Sequence, residues 1–163
     1  MLMAVTGTQE VEEKEFIFTT PLEYGLSYKL VNNNSIVVLK YLTECLEYLK
    51  NTIKKGNVDY LYNAEDLADR VIKKASDLWL SVDEKDNIKG CVVIGFCFYP
   101  RTKGILAEAV GGEFDFSELI PVLEKYYKNI GYDFFEMTGR KGWERKMKPL
   151  GYDFKYITLR KNL

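Results

Sequence analysis

The apolar residues of this chain change their spacing once, and that change limits its fold more than any other feature. From residue 36 to residue 75 they recur every three or four positions, as on one face of a helix. From residue 78 to residue 111 they recur about every second position, as on one face of a strand. A chain that places two helices ahead of a run of short strands is expected to adopt an α+β fold.

Caps and turns give the expected bounds of each element. Ser35 caps a predicted helix over 36–55, and Asn63 begins a second helix over 64–75. Further helices are predicted over 117–129 and 140–149, and strands over 16–19, 28–31, 78–82, 90–100, 104–111, 132–138 and 152–159. Pro121 fits its helix if it lies within the first turn. Since a helical crossover favours parallel neighbours and tight turns favour antiparallel ones, we expect one mixed, mainly antiparallel sheet with helices on both faces.

Length and composition indicate one folded unit. The 163 residues suit a single domain spanning residues 1–163, with residues 1–14 as a loose arm because they are polar and lack periodicity. Hydrophobic residues make up 47% of the chain and charged residues 29%, which is typical of a soluble globular protein. Charges interrupt every apolar run, so we expect no membrane-spanning helix.

The charged residues and the absence of histidine exclude several functions. Without histidine the chain has no Ser-His-Asp or Cys-His catalysis and no histidine-bound zinc. The formal net charge of −1 argues against nucleic acid as a partner. The charge is unevenly distributed, because residues 139–163 carry eight basic and two acidic residues whereas residues 1–24 carry five acidic and one basic residue. Any anion site is therefore expected near the C-terminus.

The cysteines predict packing rather than chemistry. Cys45, Cys91 and Cys97 lie in apolar runs and lack the spacing of a zinc or redox site. Without a neighbouring base, none of them is expected to act as a nucleophile. The first residues also lack the basic region and the long apolar run of a secretory signal. We therefore expect reduced core thiols, no bound metal and a cytoplasmic protein.

Two segments carry a recognisable pattern. Residues 137–163 read MTGRKGWERKMKPLGYDFKYITLRKNL, with Gly-Arg, Gly-Trp and Gly-Tyr pairs, and residues 78–113 read LWLSVDEKDNIKGCVVIGFCFYPRTKGILAEAVGGE. Both segments, together with the order of the elements, resemble small proteins of tailed bacteriophages with the Gcn5-related N-acetyltransferase (GNAT) fold. The resemblance implies a sheet in which two neighbouring strands diverge to form a cleft, with acetyl-CoA as the cofactor. It also implies a viral protein, located in the host cytoplasm or in the virion.

The resemblance places the cofactor on a glycine-rich turn. In GNAT enzymes this turn and the following helix N-terminus hold the pyrophosphate of acetyl-CoA, and the matching segment here is AVGGEFDFSEL at 109–119. The cofactor-binding residues implied there are Val110, Gly111 and Gly112. The usual Gln or Arg before a Gly-x-Gly or Gly-x-Ala is missing. Glu113 and Asp115 instead bring two carboxylates, which are equally explained as caps of the helix N-terminus.

The resemblance also implies a base and an acid for acetyl transfer. Glu108 matches a base that deprotonates the amine, and strand alternation places it on one face with Leu106 and Val110. The other interpretation of Glu108 is an edge residue that faces water. GNAT enzymes often carry a tyrosine as the acid four residues before a Gly-Phe pair, but Met147 stands there in this chain. Another tyrosine would have to donate the proton, and we name Tyr152 as the candidate.

A dense group of unusual residues precedes the last predicted strand. Gly139, Arg140 and Trp143 are candidate cofactor-binding residues, because an arginine beside glycines at a helix start holds anions and an indole ring stacks on adenine. Packing and ion pairing, without any ligand, give another explanation for the same residues. Gly142 would allow close helix packing, Trp143 would fill the core, and the arginines would pair with neighbouring glutamates.

These observations favour a GNAT-like, acyl-CoA-dependent N-acetyltransferase of viral origin that acts on an amine of a host or viral protein. The missing acid and the acidic loop favour a second interpretation, a catalytically inactive GNAT-like binding protein. Such a protein would be a virion component or an inhibitor of a host factor. Nucleic-acid binding by the basic C-terminal stretch is a third interpretation, which the net charge of −1 disfavours.

Overall fold

A computed structural model describes residues 14–56 and 61–163 of the chain. The elements are β1 (Phe16–Thr19), β2 (Leu26–Val31), α1 (Ser35–Gly56), α2 (Ala64–Ile72), β3 (Ser76–Asp83), β4 (Ile88–Phe98), β5 (Lys103–Gly112), α3 (Phe116–Asn129), β6 (Phe134–Met137) and α4 (Gly142–Met147). Each corresponds to a predicted element, and no bound differs by more than three residues. The predicted arm over residues 1–14 lies, apart from Lys14, outside the described residues.

The predicted strand over 152–159 is wrong. After α4 the chain forms a 3-10 turn at Lys148–Leu150, and residues 152–163 form no strand. Phe154 and Leu159, which lie within that predicted strand, are 65% and 91% exposed. A period of two predicts a strand only where one of its faces finds a surface to cover, and here neither face does.

Six strands form one sheet in chain order, from β1 at one edge to β6 at the other. All neighbouring strands are antiparallel except β5 and β6, which run parallel because α3 carries the chain from the end of one to the start of the other. The expectation of one mixed, mainly antiparallel sheet is confirmed.

Two apolar clusters cover opposite faces of the sheet, because successive strand residues point to opposite sides. Leu78 and Leu80 of β3 pack under α1 and α2, whereas Trp79 between them packs under α3. The helices therefore lie on both faces, as expected. Cys45 and Cys91 are buried in the first cluster and carry free thiols. No helix in the described part of the chain has the length and apolarity needed to cross a membrane.

Local sequence signals set the helix starts. Asn63 accepts a hydrogen bond from the Asp66 backbone N–H, and the Asp66 carboxylate accepts one from the Asn63 backbone N–H, so α2 begins with a capping box. Pro121 lies in the second turn of α3 instead of the first, which corrects the expectation for it. Because proline has no N–H, the carbonyl of Ser117 four residues earlier loses its usual helical donor.

The parallel pair β5 and β6 is short. Residues 104–107 of β5 pair with residues 134–137 of β6, and the pairing ends there. Residues 109–112 of β5 continue to pair with β4 on one side, and no described strand pairs with them on the other. β6 itself ends at Met137, opposite Ala107, so β5 extends past the end of β6. The resemblance places the cofactor cleft at this edge of β5.

A β-bulge at Glu108 lies where the pairing with β6 ends. Ile94 of β4 is opposite Ala107, whereas its neighbour Val93 is opposite Ala109, so Glu108 is the extra residue. The bulge interrupts the strict alternation of β5. Ala109 belongs to the cluster under α1 and α2, while Val110 packs in the cluster under α3.

A buried hydrogen-bonded chain joins β3 to α3. Trp79 donates its Nε1–H to the hydroxyl of Tyr127 at 2.9 Å, and that hydroxyl donates to the carboxylate of Asp77 at 2.6 Å. Trp79 is fully buried and Tyr127 is 1% exposed. Each of these polar groups would be costly to bury without its partner, so the chain fixes α3 on the sheet.

Replacing Tyr127 with Phe should lower the free energy of unfolding by about 2 kcal/mol, because it leaves the Trp79 N–H and the Asp77 carboxylate unpaired. Tyr126→Phe is the matched control. The Tyr126 hydroxyl takes part in none of the side-chain hydrogen bonds found among the described residues, so its loss should change stability by less than about 0.5 kcal/mol. Urea denaturation measures both values, and equal costs for the two variants would contradict the argument.

The cost of Tyr127→Phe should also depend on pH. Burial raises the pKa of Asp77 above its ordinary value of 3.8, and the hydrogen bond from Tyr127 lowers it. A carboxyl with a raised pKa favours the folded state below 3.8 and opposes it as the pH rises through the folded-state pKa. Removing the Tyr127 hydroxyl enlarges that rise, so the variant should lose more stability at about pH 7 than at about pH 3.

Candidate active site

The edge of β5 beyond the bulge forms one wall of the cleft. The carbonyl oxygen of Val110 accepts a hydrogen bond from the hydroxyl of Thr52 on α1 at 2.6 Å. The carbonyl oxygen of Glu108 accepts one from the hydroxyl of Tyr62 at 3.4 Å. Two backbone acceptors on the segment without a second strand are therefore bound by side chains of the α1 and α2 region.

Glu108, the predicted base, forms a bidentate ion pair. Its carboxylate accepts hydrogen bonds from Arg70 on α2 at 2.6 and 3.1 Å and from the Ser76 hydroxyl at 3.0 Å. The Glu108 side chain is 9% exposed, so the interpretation of it as an edge residue facing water is wrong. The hydrogen bond to Glu108 raises the pKa of Arg70. Both carboxylate oxygens of the predicted base are therefore already bound by Arg70.

The bulge also separates Glu108 from Val110. Strand alternation predicted that the two side chains share a face with Leu106, but the extra residue turns Val110 to the face of α3 while the Glu108 carboxylate reaches α2. The carboxylate lies against Gly95, where an added Cβ would stand 1.9 Å from its Oε1. Glycine at 95 thus leaves the space that the carboxylate occupies.

The two glycines of the predicted cofactor turn are explained by packing. A Cβ on Gly111 would lie 2.7 Å from the backbone oxygen of Tyr48 on α1, so α1 approaches β5 closely there. Gly112 has a φ of 117°, and its Cβ would lie 2.3 Å from the Cα of Gly90. Both positions require glycine whether or not the turn holds a ligand.

The N-terminus of α3 is capped by its own chain. Asp115 accepts hydrogen bonds from the backbone N–H of Ser117 at 3.0 Å and from its hydroxyl at 2.7 Å. These bonds, more than the Lys146 ammonium at 3.4 Å, hold the pKa of Asp115 below its ordinary value. The capping interpretation of this loop is confirmed for Asp115. Its carboxylate stands where the resemblance implies a pyrophosphate.

The Trp143 group reaches the same helix end. Trp143 is half-buried, and its ring meets that of Phe116 edge-on with centroids 5.8 Å apart. Gly139 packs closely against Trp143, since a Cβ added at 139 would lie 2.7 Å from the indole ring. Gly142 has no other atom within 4 Å of its Cβ position, so the expectation that it allows helix packing is wrong. The structure thus brings the two predicted cofactor segments together.

Arg140 precedes α4 and is exposed. Its carbonyl accepts the Trp143 backbone N–H at 2.9 Å, and its side chain takes part in none of the ion pairs found among the described residues. The same holds for Arg145, so the expected pairing of these arginines with neighbouring glutamates is wrong. Both remain available to an anion at this end of α3.

Tyr152, the candidate acid, is engaged elsewhere. Its hydroxyl donates to Glu124 on α3 at 2.7 Å, and its ring packs edge-on against Phe135. Burial, and then the hydrogen bond to Glu124, raise the pKa of Tyr152 above its ordinary value. Met147, at the usual place of the acid, is 2% exposed and packs in the cluster under α3. Neither residue presents a proton to the edge of β5.

Three residues of the site were not singled out from the sequence. Thr52, Arg70 and Lys146 lie on helices with ordinary polar faces, and each binds a residue that is distant in the chain. Lys146 alone could have been suspected, because it belongs to the basic C-terminal stretch that was expected to hold an anion.

The comparisons with known proteins concern the fold. No protein-family model matches the sequence, and no curated protein matches it. A predicted acetyltransferase of Clostridium acetobutylicum, solved with acetyl-CoA, superposes with a TM-score of 0.59 at 12% identity, covering 84% of this chain and 96% of its own. An aminoglycoside acetyltransferase from an uncultured soil metagenomic sample, solved with sisomicin, superposes with a TM-score of 0.60 at 11% identity, covering 88% of this chain and 99% of its own.

A GNAT family acetyltransferase of Staphylococcus aureus gives a TM-score of 0.56 at 17% identity, covering 85% of this chain and 99% of its own. At such identities the likeness shows the fold alone. The chain has a GNAT-like α+β fold, and this expectation is confirmed.

Replacing Arg70 with Ala should lower the free energy of unfolding by about 1 to 3 kcal/mol, because it leaves the buried Glu108 carboxylate without its cation. Lys73→Ala is the matched control on the same helix. Lys73 is 2.6 Å from Asp69, but both side chains are exposed, so the cost should stay below about 0.5 kcal/mol. Urea denaturation compares the two variants. An Arg70→Ala cost no larger than that of the control would show that Glu108 does not need its partner.

Proposed function

We propose that the cleft between β5 and β6 binds an acyl-CoA and that the protein transfers the acyl group to an amine. The observation that carries this proposal is the end of the β5–β6 pairing at Ala107, which leaves the rest of β5 without a described neighbouring strand on that side, just before the N-terminus of α3. The fold is shared with an acetyltransferase that was solved with acetyl-CoA, which supports the same cofactor class here.

The described residues fit the phosphates of such a cofactor at one end of the cleft. Lys146 approaches the N-terminus of α3, and Arg140 lies just before the same short helix α4. Both cations can form charge-assisted hydrogen bonds to phosphate oxygens. The half-buried ring of Trp143, beside Phe116, offers a face on which an adenine can stack.

Asp115 opposes the same anion. Its carboxylate accepts the Ser117 N–H and attracts Lys146, so a phosphate group must compete for both. The competition predicts weak binding by the unmodified chain. It also identifies the residue whose charge limits affinity, because an amide at 115 would keep the cap and lose the repulsion.

An acyl-CoA bound in the cleft would supply the thioester whose acyl carbon an amine attacks. The chain must hold the amine, accept its proton and provide a proton for the departing sulfur. Glu108 is the carboxylate at the bulge of β5, and it can face an amine in the cleft only after it separates from Arg70. Tyr152 can donate only after its hydroxyl leaves Glu124.

A second candidate function follows from those two contacts. With Glu108 bound to Arg70, Tyr152 bound to Glu124 and Met147 buried, neither the candidate base nor the candidate acid is free to act at the edge of β5. The same cleft would then serve a catalytically inactive protein that binds an acyl-CoA or a host or viral partner. Its origin in a tailed bacteriophage and its place in the cytoplasm or the virion remain predictions from the sequence.

Calorimetric titration with acetyl-CoA and with free CoA tests the proposal, since it measures binding apart from turnover. We expect dissociation constants between about 10 μM and 1 mM, in keeping with the acidic cap. Absence of binding at about 1 mM would contradict the acyl-CoA site. Binding without transfer to any of a panel of amines would instead favour the inactive binding protein.

Variants locate the site. Lys146→Ala should weaken CoA binding about tenfold, and Asp115→Asn should tighten it several-fold while the helix cap is retained. Lys128→Ala, at the opposite end of α3, is the control and should leave the affinity unchanged. Melting temperatures measured on the same samples separate binding effects from loss of fold. Equal effects of Lys146→Ala and Lys128→Ala would place the phosphates elsewhere.

A further inference from the structure

A groove separates the β1–β2 hairpin from α3. Its volume is about 560 Å³, which is the size of a small-molecule site. The apolar walls are Phe18, Leu26, Tyr28, Pro121, Val122 and Tyr126. We call this cavity the hairpin groove.

The hairpin groove is distinct from the cleft. It lies at the β1–β2 end of the sheet, whereas the cleft opens at the far side of β5. Three strand spacings, about 14 Å, separate β2 from β5. Neither Lys146 nor Trp143 lines the groove, so its ligand would not touch the proposed phosphate site.

The hydroxyl of Tyr28 is a buried polar group without a partner. The residue is 7% exposed, and no described residue completes a hydrogen bond of normal geometry to its Oη, although the Glu118 carboxylate is near enough to interact with it. Buried hydroxyls are nearly always hydrogen-bonded, because an unsatisfied one has lost its bonds to water and gained nothing. Since Tyr28 lines the hairpin groove, a ligand there is in position to supply the missing partner.

Negative charge surrounds this hydroxyl. Burial, followed by the charges of Glu118 and Asp115, a hydrogen-bonding interaction with the Glu118 carboxylate and a smaller contribution from Glu23, raises the pKa of Tyr28 to about 12. Glu23 and Glu118 line the groove, and neither takes part in the ion pairs found among the described residues. Lys125 also lines it, but seven residues beyond Glu118 on α3, about 10 Å along the helix. The Tyr28 end therefore carries uncompensated negative charge.

The hairpin tip presents an aromatic ring at the mouth of the groove. Tyr24 has a φ of 51° and is 85% exposed. A bulky residue in the left-handed region is strained, and Asn or Gly would form such a turn at lower cost. The exposed ring gains little packing within the chain in return. Strain of this kind is found where a side chain is held for a ligand.

We propose that the hairpin groove binds an organic ammonium ion with an apolar body. The ammonium group would lie between Glu23 and Glu118 and donate a hydrogen bond to the Tyr28 hydroxyl. The apolar body would lie against Phe18 and Tyr126. The π faces of these rings would also attract the positive charge of the ligand. The two carboxylates repel anions from the same place. This ligand is separate from the acceptor amine of the cleft, so the inference goes beyond the proposed function.

Calorimetric titration with 2-phenylethylammonium, in the absence of CoA, tests the proposal. The neutral isostere 2-phenylethanol and the anion 3-phenylpropanoate are the matched controls. The ammonium ion should bind at least about tenfold more tightly than the alcohol, and the anion should not bind at about 10 mM. Equal binding of the ammonium ion and the alcohol, or no binding of the ammonium ion at about 10 mM, would overturn the proposal.

Substitutions identify the groove as the place of binding. Glu118→Gln keeps the shape of the side chain and should weaken ammonium binding at least about tenfold, with little effect on the alcohol. Glu124→Gln, on the same helix but bound to Tyr152, should leave the affinity unchanged. A folded Glu118→Gln protein with the original affinity would overturn the proposal. If circular dichroism shows that this variant does not fold, Glu23→Gln on the hairpin provides the same test.

The titration is independent of the cleft. Loss of CoA binding with ammonium binding retained would contradict only the proposed function. Loss of ammonium binding with CoA binding retained would contradict only the hairpin groove.

Discussion

The ion pair between Arg70 and Glu108 ties α2 to the part of β5 where the cleft is proposed. The Glu108 side chain points to the face of α1 and α2, where Arg70 and Ser76 bind its carboxylate beside Gly95. Burying that carboxylate is tolerable only because its cation and hydroxyl partner are in place. The bulge at Glu108 then shifts the alternation, so Val110 faces α3. The candidate site on β5 is therefore held by a contact with a different helix.

Much of the fold follows from signals that are local in sequence. The start of α2 is predictable because Asn63 and Asp66 are three residues apart, and a capping box needs no other part of the chain. The strands β3 to β5 are predictable because their alternation is matched by a buried face on each side of the sheet. The segment 152–159 has the same alternation but no such face, so the same signal gave a wrong strand.

The candidate site was less predictable, because its contacts join residues that are distant in the chain. Arg70 and Glu108 are 38 residues apart, and nothing in the spacing of either indicates the other. The bulge is equally hidden, since it depends on how β4 and β5 pair. The resemblance did place the loop before α3 and the Trp143 group in one site, and Trp143 does meet Phe116. It could not show that Asp115 already attracts Lys146 there.

Helix α3 links the two proposed sites through charge. Asp115, the residue just before α3, is paired with Lys146 of α4. Glu118, in the first turn of α3, lines the hairpin groove. Residues three apart on a helix are about 5 to 6 Å apart, within the screening length of physiological salt. A cation held by Glu118 would reduce the negative potential around Asp115, and a phosphate beside Lys146 would then meet less repulsion. Because such coupling is reciprocal, occupancy of either site is expected to favour the other.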